Sequence, residues 1–182
     1  MTTAATPESL KDEGLRQFQR GDYDAALATF DTAVSAFAAA DNPTGQAEMY
    51  NNIGVIHRLR GHHEDALRAF DNAQTCCAAA NDDNRRAQVL GNMGDLYKDQ
   101  GDREQAARCY SDAAALFAQT GDRDKQSQVL RAFSLMRMRQ GKWYEAMLRM
   151  KESLTVKPNR GLFGGMFLTM LRFALKLFGH TD

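Results

Sequence analysis

The stretch that decides the fold runs from Gly21 to Phe30 and reads GDYDAALATF. Further segments repeat its pattern at a constant spacing of 40 residues: GHHEDALRAF at 61–70, GDREQAARCY at 101–110 and GKWYEAMLRM at 141–150. Five residues after each leading glycine stands an alanine, and nine residues after it stands a large apolar residue. Self-similarity at a fixed period indicates an array of similar structural units.

A second set of matching columns precedes each leading glycine. Seven residues before each leading glycine lies a small residue: Gly14, Gly54, Gly94 or Ser134. Eleven residues before it lies a large apolar residue: Leu10, Tyr50, Leu90 or Leu130. Apolar residues spaced by three or four positions are typical of helices. Small residues let two antiparallel helices approach closely while large residues fill the gaps between them. Each unit is therefore predicted to be a helix-turn-helix.

These columns resemble the tetratricopeptide repeat over residues 7–157, and Pro158 falls where that motif often closes with proline. The spacing of 40 resembles the long-helix variant of the family. The resemblance implies an all-α solenoid of four helix pairs, with a flexible N-terminus at 1–6 and a C-terminal amphipathic helix within 158–182. Helices are expected at 8–20, 23–40, 46–60, 63–80, 86–100, 103–120, 126–140, 143–156 and 162–178.

Polar residues interrupt the columns of the last unit. Ser134, Arg137 and Ser153 stand where apolar or small residues are expected, and they weaken the match there. Terminal units of a repeat array often present a polar outer face or receive a docked cap.

The charges of the chain cancel overall but not locally. With 23 basic and 23 acidic residues, the chain lacks the excess of positive charge expected of a nonspecific nucleic-acid binder. Residues 126–182 nevertheless carry 10 Lys and Arg against 3 Asp and Glu, which favours an anionic partner or surface for this end. The first residues do not resemble a signal peptide and the three cysteines form no disulfide framework, so a cytoplasmic location is expected.

The pattern brings together no set of residues suited to catalysis. No nucleophile and base can be placed side by side on these helices, and no phosphate-binding loop follows a strand. His62 and His63 are adjacent at an exposed turn, where solvated side chains are more usual than metal ligands, and His57 is expected to pack or to line a groove. The sequence therefore predicts a non-catalytic protein with no cofactor and no metal ion.

The resemblance implies a concave groove that is lined by the first helix of each pair and binds an extended protein segment. The positions it places there are Asn51, Asn52, Val55, Arg58, Asn92, Asp95 and Arg131. Asn52 and Asn92 match positions that hold peptide backbone in the family, because an amide offers both an acceptor and donors. Both amides are expected to face one continuous surface without intrahelical partners. Four basic residues could take acidic groups of the partner: Arg58, Lys98, Arg131 and Arg139. Asp95 and Asp99 would repel such groups.

The segment after Asn159 is the most apolar part of the chain. On a helix its apolar side chains cover about 240°, while Arg172 and Lys176 lie in the remaining wedge. An apolar face of this width is expected to pack against another surface. Three interpretations stay open: a cap on the fourth repeat, a helix lying in an anionic membrane surface, or docking on another protein or copy. The residues expected to carry the contact are Phe163, Met166, Phe167, Met170, Leu171, Arg172, Lys176 and Phe178.

Taken together, these patterns predict a protein-interaction scaffold or adaptor. Its groove would bind a partner segment, and the helix within 161–182 would attach it to a membrane surface or assembly. The alternative is a self-associating adaptor, a homo-oligomer whose C-terminal helix caps its own or a neighbour's array. Either protein would be cytoplasmic, and the first would be peripheral on a membrane.

Overall fold

The computed structural model describes residues 5–156 and 161–178, and within these ranges the chain forms nine α-helices and no strands. The helices are α1 Pro7–Arg20, α2 Tyr23–Ala39, α3 Pro43–Leu59, α4 His63–Ala80, α5 Asp83–Gln100, α6 Arg103–Thr120, α7 Arg123–Arg139, α8 Trp143–Val156 and α9 Gly161–Leu177. The fold is thus all-α, of the α-solenoid class built from helix pairs, with an additional C-terminal helix, as the sequence predicts.

The helices belong to two compact units. Unit 1 covers Met1–Leu96 and contains α1 to α4 and most of α5. Unit 2 covers Tyr97–Asp182 and contains the last turn of α5 and α6 to α9. Consecutive helices pack on one another within each unit: α1 on α2, α2 on α3 and α3 on α4, and α6 on α7, α7 on α8 and α8 on α9.

The turn inside each repeat is made by the leading glycine. Gly21, Gly61, Gly101 and Gly141 have φ values of 82°, 76°, 83° and 73°, in the left-handed region that favours glycine. A second left-handed position recurs 40 residues apart in the turns between repeats, at Asp41, Asn81, Gly121 and Gly161. This second column is hidden in the sequence because Asp and Asn, which tolerate the left-handed region, replace glycine in two of the turns.

The small and large columns meet as predicted. A Cβ atom added to Gly14 would lie 2.5 Å from Cε1 of Phe30, and one added to Gly54 would lie 2.5 Å from Cε1 of Phe70. Both phenylalanines are fully buried. The glycine of the first helix and the aromatic ring of the second therefore fix the closest approach of α1 to α2 and of α3 to α4.

Three helices begin earlier than predicted. α3, α5 and α7 start three residues before the expected positions 46, 86 and 126. In each case the residue just before the helix caps it: Asn42 Oδ1 accepts from Gly45 N at 2.8 Å, Asp82 Oδ1 from Arg85 N at 2.9 Å and Asp122 Oδ1 from Lys125 N at 3.1 Å. These polar residues read as linker in the sequence, but they satisfy the first helical N–H groups instead.

The N-terminal segment 1–6, predicted to be flexible, is described only from residue 5, and residues 1–4 lie outside the described ranges. Thr6 acts as the N-cap of α1, since its Oγ1 accepts from Ser9 N at 3.2 Å. Thr6 therefore belongs to the folded part. Pro158 also lies outside the described residues.

The polar residues of the fourth repeat are integrated into its core. Buried Ser134 donates through Oγ to Ala146 O at 2.7 Å, and buried Ser153 donates to Ser127 O at 2.8 Å. Arg137, only 6% exposed, forms an ion pair from Nε to Oε2 of Glu145 at 3.0 Å. These residues depart from the repeat pattern, as the sequence indicates, but Ser134, Ser153 and Arg137 each have a partner within the fourth repeat.

Candidate functional site

The face formed by the first helices of unit 1 carries the predicted asparagines. Asn51 of α3 is 6% exposed, and its Oδ1 accepts a hydrogen bond of 2.7 Å from Nδ2 of Asn92 in α5. Asn92 is half-buried. One N–H of the Asn92 amide is therefore used by α3. This partner lies on another helix, so the amide has the interhelical contact rather than an intrahelical one, and buried Asn51 is out of the accessible surface.

Asn52 lies beside this pair and is half-buried. In the described part of unit 1 its amide makes no side-chain hydrogen bond, so its one acceptor and two donors remain available. Of the two asparagines that the family resemblance placed in the groove, Asn52 alone keeps an uncommitted amide.

A shared carboxylate joins α1, α3 and α5 in the same unit. Glu48 accepts through Oε1 from Nζ of Lys11 at 3.3 Å and through Oε2 from Nη1 of Arg85 at 3.4 Å. All three side chains are about one quarter exposed. Glu48 is not evident as a site residue from the sequence, because each of its partners lies 37 residues away from it, which does not coincide with the repeat spacing. Together with the asparagine pair, this contact means that several polar side chains on the face formed by α1, α3 and α5 hold these helices to one another.

The other predicted groove residues have varied surroundings. Val55 is partly buried and packs against the core cluster around Phe70. Arg58 and Asp95 are half-buried and each has an interaction within the chain. Arg131 is exposed on α7 in unit 2.

A basic cavity of about 190 Å³ lies in unit 2, and we call it the basic pocket. Its lining residues are Lys98, Arg103, Met136, Arg139 and Gln140. Nε2 of Gln140 is buried and has no hydrogen-bond partner among the described residues, while its Oε1 accepts from Nη1 of Arg137 at 2.9 Å. Three cationic side chains around a methionine suit a carboxylate or another acceptor-rich group, although Lys98 already lies 4.0 Å from Oδ1 of Asp99.

The sequence pattern pointed to Lys98 and Arg139 as partners of acidic groups, but not to Arg103 or Gln140. Arg103 is the first residue of α6 and Gln140 is the C-cap of α7, so neither lies in the first-helix columns that the resemblance pointed to. The available signal was the clustering of basic residues around the turns at 100–103 and 139–142.

Helix α9 has one buried and one exposed apolar face. Leu168, Leu171 and Leu175 are at most 7% exposed, and α9 packs on α8. Leu171 was predicted to belong to the outward contact surface; it faces inward instead, because it lies one helical turn from the other two buried leucines.

The exposed face of α9 is formed by large apolar side chains, and we call it the outer stripe. Phe163 is 85% exposed, and the remaining members are 47% to 74% exposed: Met166, Phe167, Met170, Phe173, Leu177 and Phe178. At 100° per residue those within α9 occupy an arc of about 120°. Arg172 and Lys176 are exposed and lie between this arc and the buried leucines. Phe178 also contacts Tyr144 of α8, with ring centroids 6.3 Å apart.

No helix in the described ranges has both the length and the apolar character needed to cross a membrane.

Comparison with known proteins agrees with the repeat pattern. Profiles of the family described as tetratricopeptide repeat match residues 16–78 and 87–120, which together are more than half of the chain. No curated protein sequence matches the chain.

Several solved structures share its fold. The structure of BtubC from P. vanneervenii superposes with a TM-score of 0.72 at 18% identity, over 84% of this chain and 66% of that one. A signal transduction ATPase with numerous domains and a tetratricopeptide repeat sensor, from Pyrococcus horikoshii, gives 0.76 at 16% identity, over 95% of this chain and 27% of that one. The pilF protein of Pseudomonas aeruginosa gives 0.68 at 19% identity, over 94% and 70%.

This chain spans less than two thirds of the length of the first two structures. At these identities the likeness shows the fold alone. The glycine-centred turns, the glycine–phenylalanine contacts between paired helices and the family profiles lead to one conclusion: the chain belongs to the tetratricopeptide repeat family, whose repeats serve as scaffolds for interactions between proteins.

Proposed function

We propose that this chain is a non-catalytic adaptor that binds an acidic protein segment through its repeat helices and attaches to an anionic membrane surface through α9. The observation that carries the proposal is the outer stripe, since six of its seven large apolar side chains are more than half exposed. Contiguous apolar patches on a protein surface mark interaction sites.

The geometry of α9 favours a membrane surface as the partner of the outer stripe. An interfacial helix lies in the plane of the membrane with its apolar face among the acyl chains and basic side chains at its edge. Phe163, Phe167 and Phe173 supply the apolar face, while Arg172 and Lys176 supply the basic edge. The excess of positive charge in residues 126–182 adds attraction to anionic lipids.

The test is flotation of the full chain with vesicles that contain phosphatidylserine. Phe163→Glu/Phe167→Glu should abolish binding because it places charges in the apolar face. Arg172→Glu/Lys176→Glu should weaken binding most at low salt, where screening is least. Leu59→Glu is the matched control, since Leu59 is 51% exposed on α3 in unit 1 and should have no effect.

The same samples distinguish the self-associating alternative. If the outer stripe pairs with another copy, light scattering shows a dimer that the phenylalanine double variant converts to monomer, and vesicles bind neither protein. If wild type floats but both double variants float equally well, the membrane proposal is wrong.

The basic pocket supports an acidic segment as the protein partner. Lys98, Arg103 and Arg139 converge on a cavity large enough for one carboxylate side chain or a terminal carboxylate. Hydrogen bonds between guanidinium groups and carboxylates are among the stronger ones in proteins. Asn52 offers an additional amide in unit 1 for holding backbone.

A fluorescein-labelled octaglutamate peptide provides a probe for the basic pocket. Arg103→Glu/Arg139→Glu should weaken its binding by at least about tenfold, as expected for the loss of two charge-assisted contacts. Arg108→Glu/Arg123→Glu changes the net charge of unit 2 by the same amount at exposed positions outside the pocket. Equal losses in both double variants would show that only general charge attracts the peptide, and the pocket would not be the site.

A further inference from the structure

Two imidazoles and a carboxylate meet where α3 turns into α4. His57 lies in the last turn of α3, His62 is the N-cap of α4, and Asp65 lies in the first turn of α4. Each offers a ligand atom, and these atoms all lie within 4.8 Å of one another. In the sequence His62 stands next to His63, but the structure places its ring beside that of His57, with ring centroids 6.0 Å apart.

The repeat geometry explains why these three positions meet. Adding two repeat lengths to them gives Arg137, Lys142 and Glu145 in the fourth repeat. There Glu145 receives Nε of Arg137 at 3.0 Å and Nζ of Lys142 at 3.9 Å. The fold therefore brings the same three positions together in both repeats. They form an ion-pair cluster in the fourth repeat and a group of residues that can ligate a metal in the second.

Neither imidazole has an evident structural task. Nδ1 of His57 is buried without a hydrogen-bond partner among the described residues. His62 makes no side-chain cap hydrogen bond. At the same position of the other repeats, Asp22 also makes none, whereas Asp102 accepts from Gln105 N at 3.0 Å. The imidazole of His62 therefore has no capping role at its position.

We propose that His57, His62 and Asp65 bind one divalent zinc ion, with water as the fourth ligand. Two imidazole nitrogens and one carboxylate oxygen are a usual three-residue set for zinc with an open position. A tetrahedral site with bonds of about 2.0 Å needs ligand atoms roughly 3.3 Å apart, and the exposed His62 can rotate to close the difference. Asp65 also pairs with the exposed Arg68, which leaves its second oxygen for the metal.

A metal ion at this place would clamp the α3–α4 turn of unit 1. Because it would bind the folded turn and not the unfolded chain, it should raise the stability of the helix pair in proportion to the logarithm of zinc concentration. The site depends neither on the basic pocket nor on the outer stripe, so its test is independent of the proposed function.

The experiment is calorimetric titration of the full, untagged chain with zinc chloride, followed by cobalt absorption to report nitrogen and oxygen ligation. Wild type should bind one ion per chain. His62→Ala and Asp65→Asn should each lower the affinity by at least about tenfold, since removing even outer contacts of a metal site costs that much. His57→Tyr, which introduces the residue found at this position of the third repeat, should do the same while keeping the helix pair folded.

His63→Ala is the matched control, because it removes a neighbouring half-buried imidazole that lies outside the three-residue set. It should leave the affinity within about twofold. The proposal is overturned if wild type binds no zinc at millimolar concentration, if His62→Ala binds as well as wild type, or if His63→Ala loses as much affinity as His62→Ala. Circular dichroism of each variant confirms that the compared proteins are folded.

Discussion

Replacing Gly54 by alanine tests the close approach of α3 to α4 directly. The new methyl carbon would lie 2.5 Å from Cε1 and 2.6 Å from Cδ1 of Phe70, a ring that is fully buried. The ring cannot move into solvent, so the cost should fall at the upper end of the overpacking range, about 3 kcal/mol. Alanine favours the helix over glycine by about 1 kcal/mol. The net loss of unfolding free energy is therefore about 2 kcal/mol.

The measurement is urea denaturation followed by circular dichroism, with Gly165→Ala as the control. Gly165 is also helical, but nothing lies within 4 Å of its added Cβ, so alanine there should stabilise by up to about 1 kcal/mol. For a chain of this size, the Gly54 variant should also melt roughly 4–8 °C lower. A second variant, Gly54→Ala/Phe70→Leu, removes the ring that the new methyl group would meet. Its loss of unfolding free energy should therefore be smaller than the sum of the losses of the two single variants. Equal effects of Gly54→Ala and Gly165→Ala would refute the account.

Three other predictions follow from contacts within the units. Asn51→Ala removes the acceptor of Asn92 Nδ2 and should lower the unfolding free energy by about 1 kcal/mol in denaturation, more than Asn52→Ala, whose amide makes no such bond. Ser134→Ala removes the buried 2.7 Å hydrogen bond to Ala146 O and should lower the unfolding free energy by about 0.5–1.5 kcal/mol in the same assay. Burial raises the pKa of Cys77 and of Cys109 to about 11, so little of either thiol is in the reactive thiolate form at pH 8. Iodoacetamide at pH 8 should therefore modify the half-buried Cys76 first. Peptide mass spectrometry measures the order of modification.

The repeat and its close contacts could be predicted because they depend on short-range spacing. Gly14 with Phe30 and Gly54 with Phe70 are each separated by 16 residues, and the same separation recurs in every unit. Helix starts were less well predicted, because Asn and Asp, the residue types at positions 42, 82 and 122, favour both loops and N-caps. Only the hydrogen bonds to the N–H groups three residues later show which role they have.

The candidate site was less accessible from sequence. Columns place residues on a face, but they do not tell which polar side chains pair with each other across helices. The bond between Asn51 and Asn92 joins positions 41 residues apart, one residue off the repeat spacing, so a column-by-column reading separates the two partners. The same holds for His57 and His62, which lie on different helices and meet only because the turn brings them together. Long-range pairing of this kind depends on helix rotation, which spacing alone does not specify.

The position of α9 after α8 in the chain has a consequence for synthesis. A ribosome releases the repeats before the most apolar segment, and domains generally fold in the order in which they emerge. The surface of α8 that receives Leu168, Leu171 and Leu175 can thus form before those leucines appear, which shortens the time that they spend in water. The outer stripe stays largely exposed in the described ranges. Newly made protein should therefore depend on chaperones, or on prompt delivery to its partner, to avoid aggregation during translation.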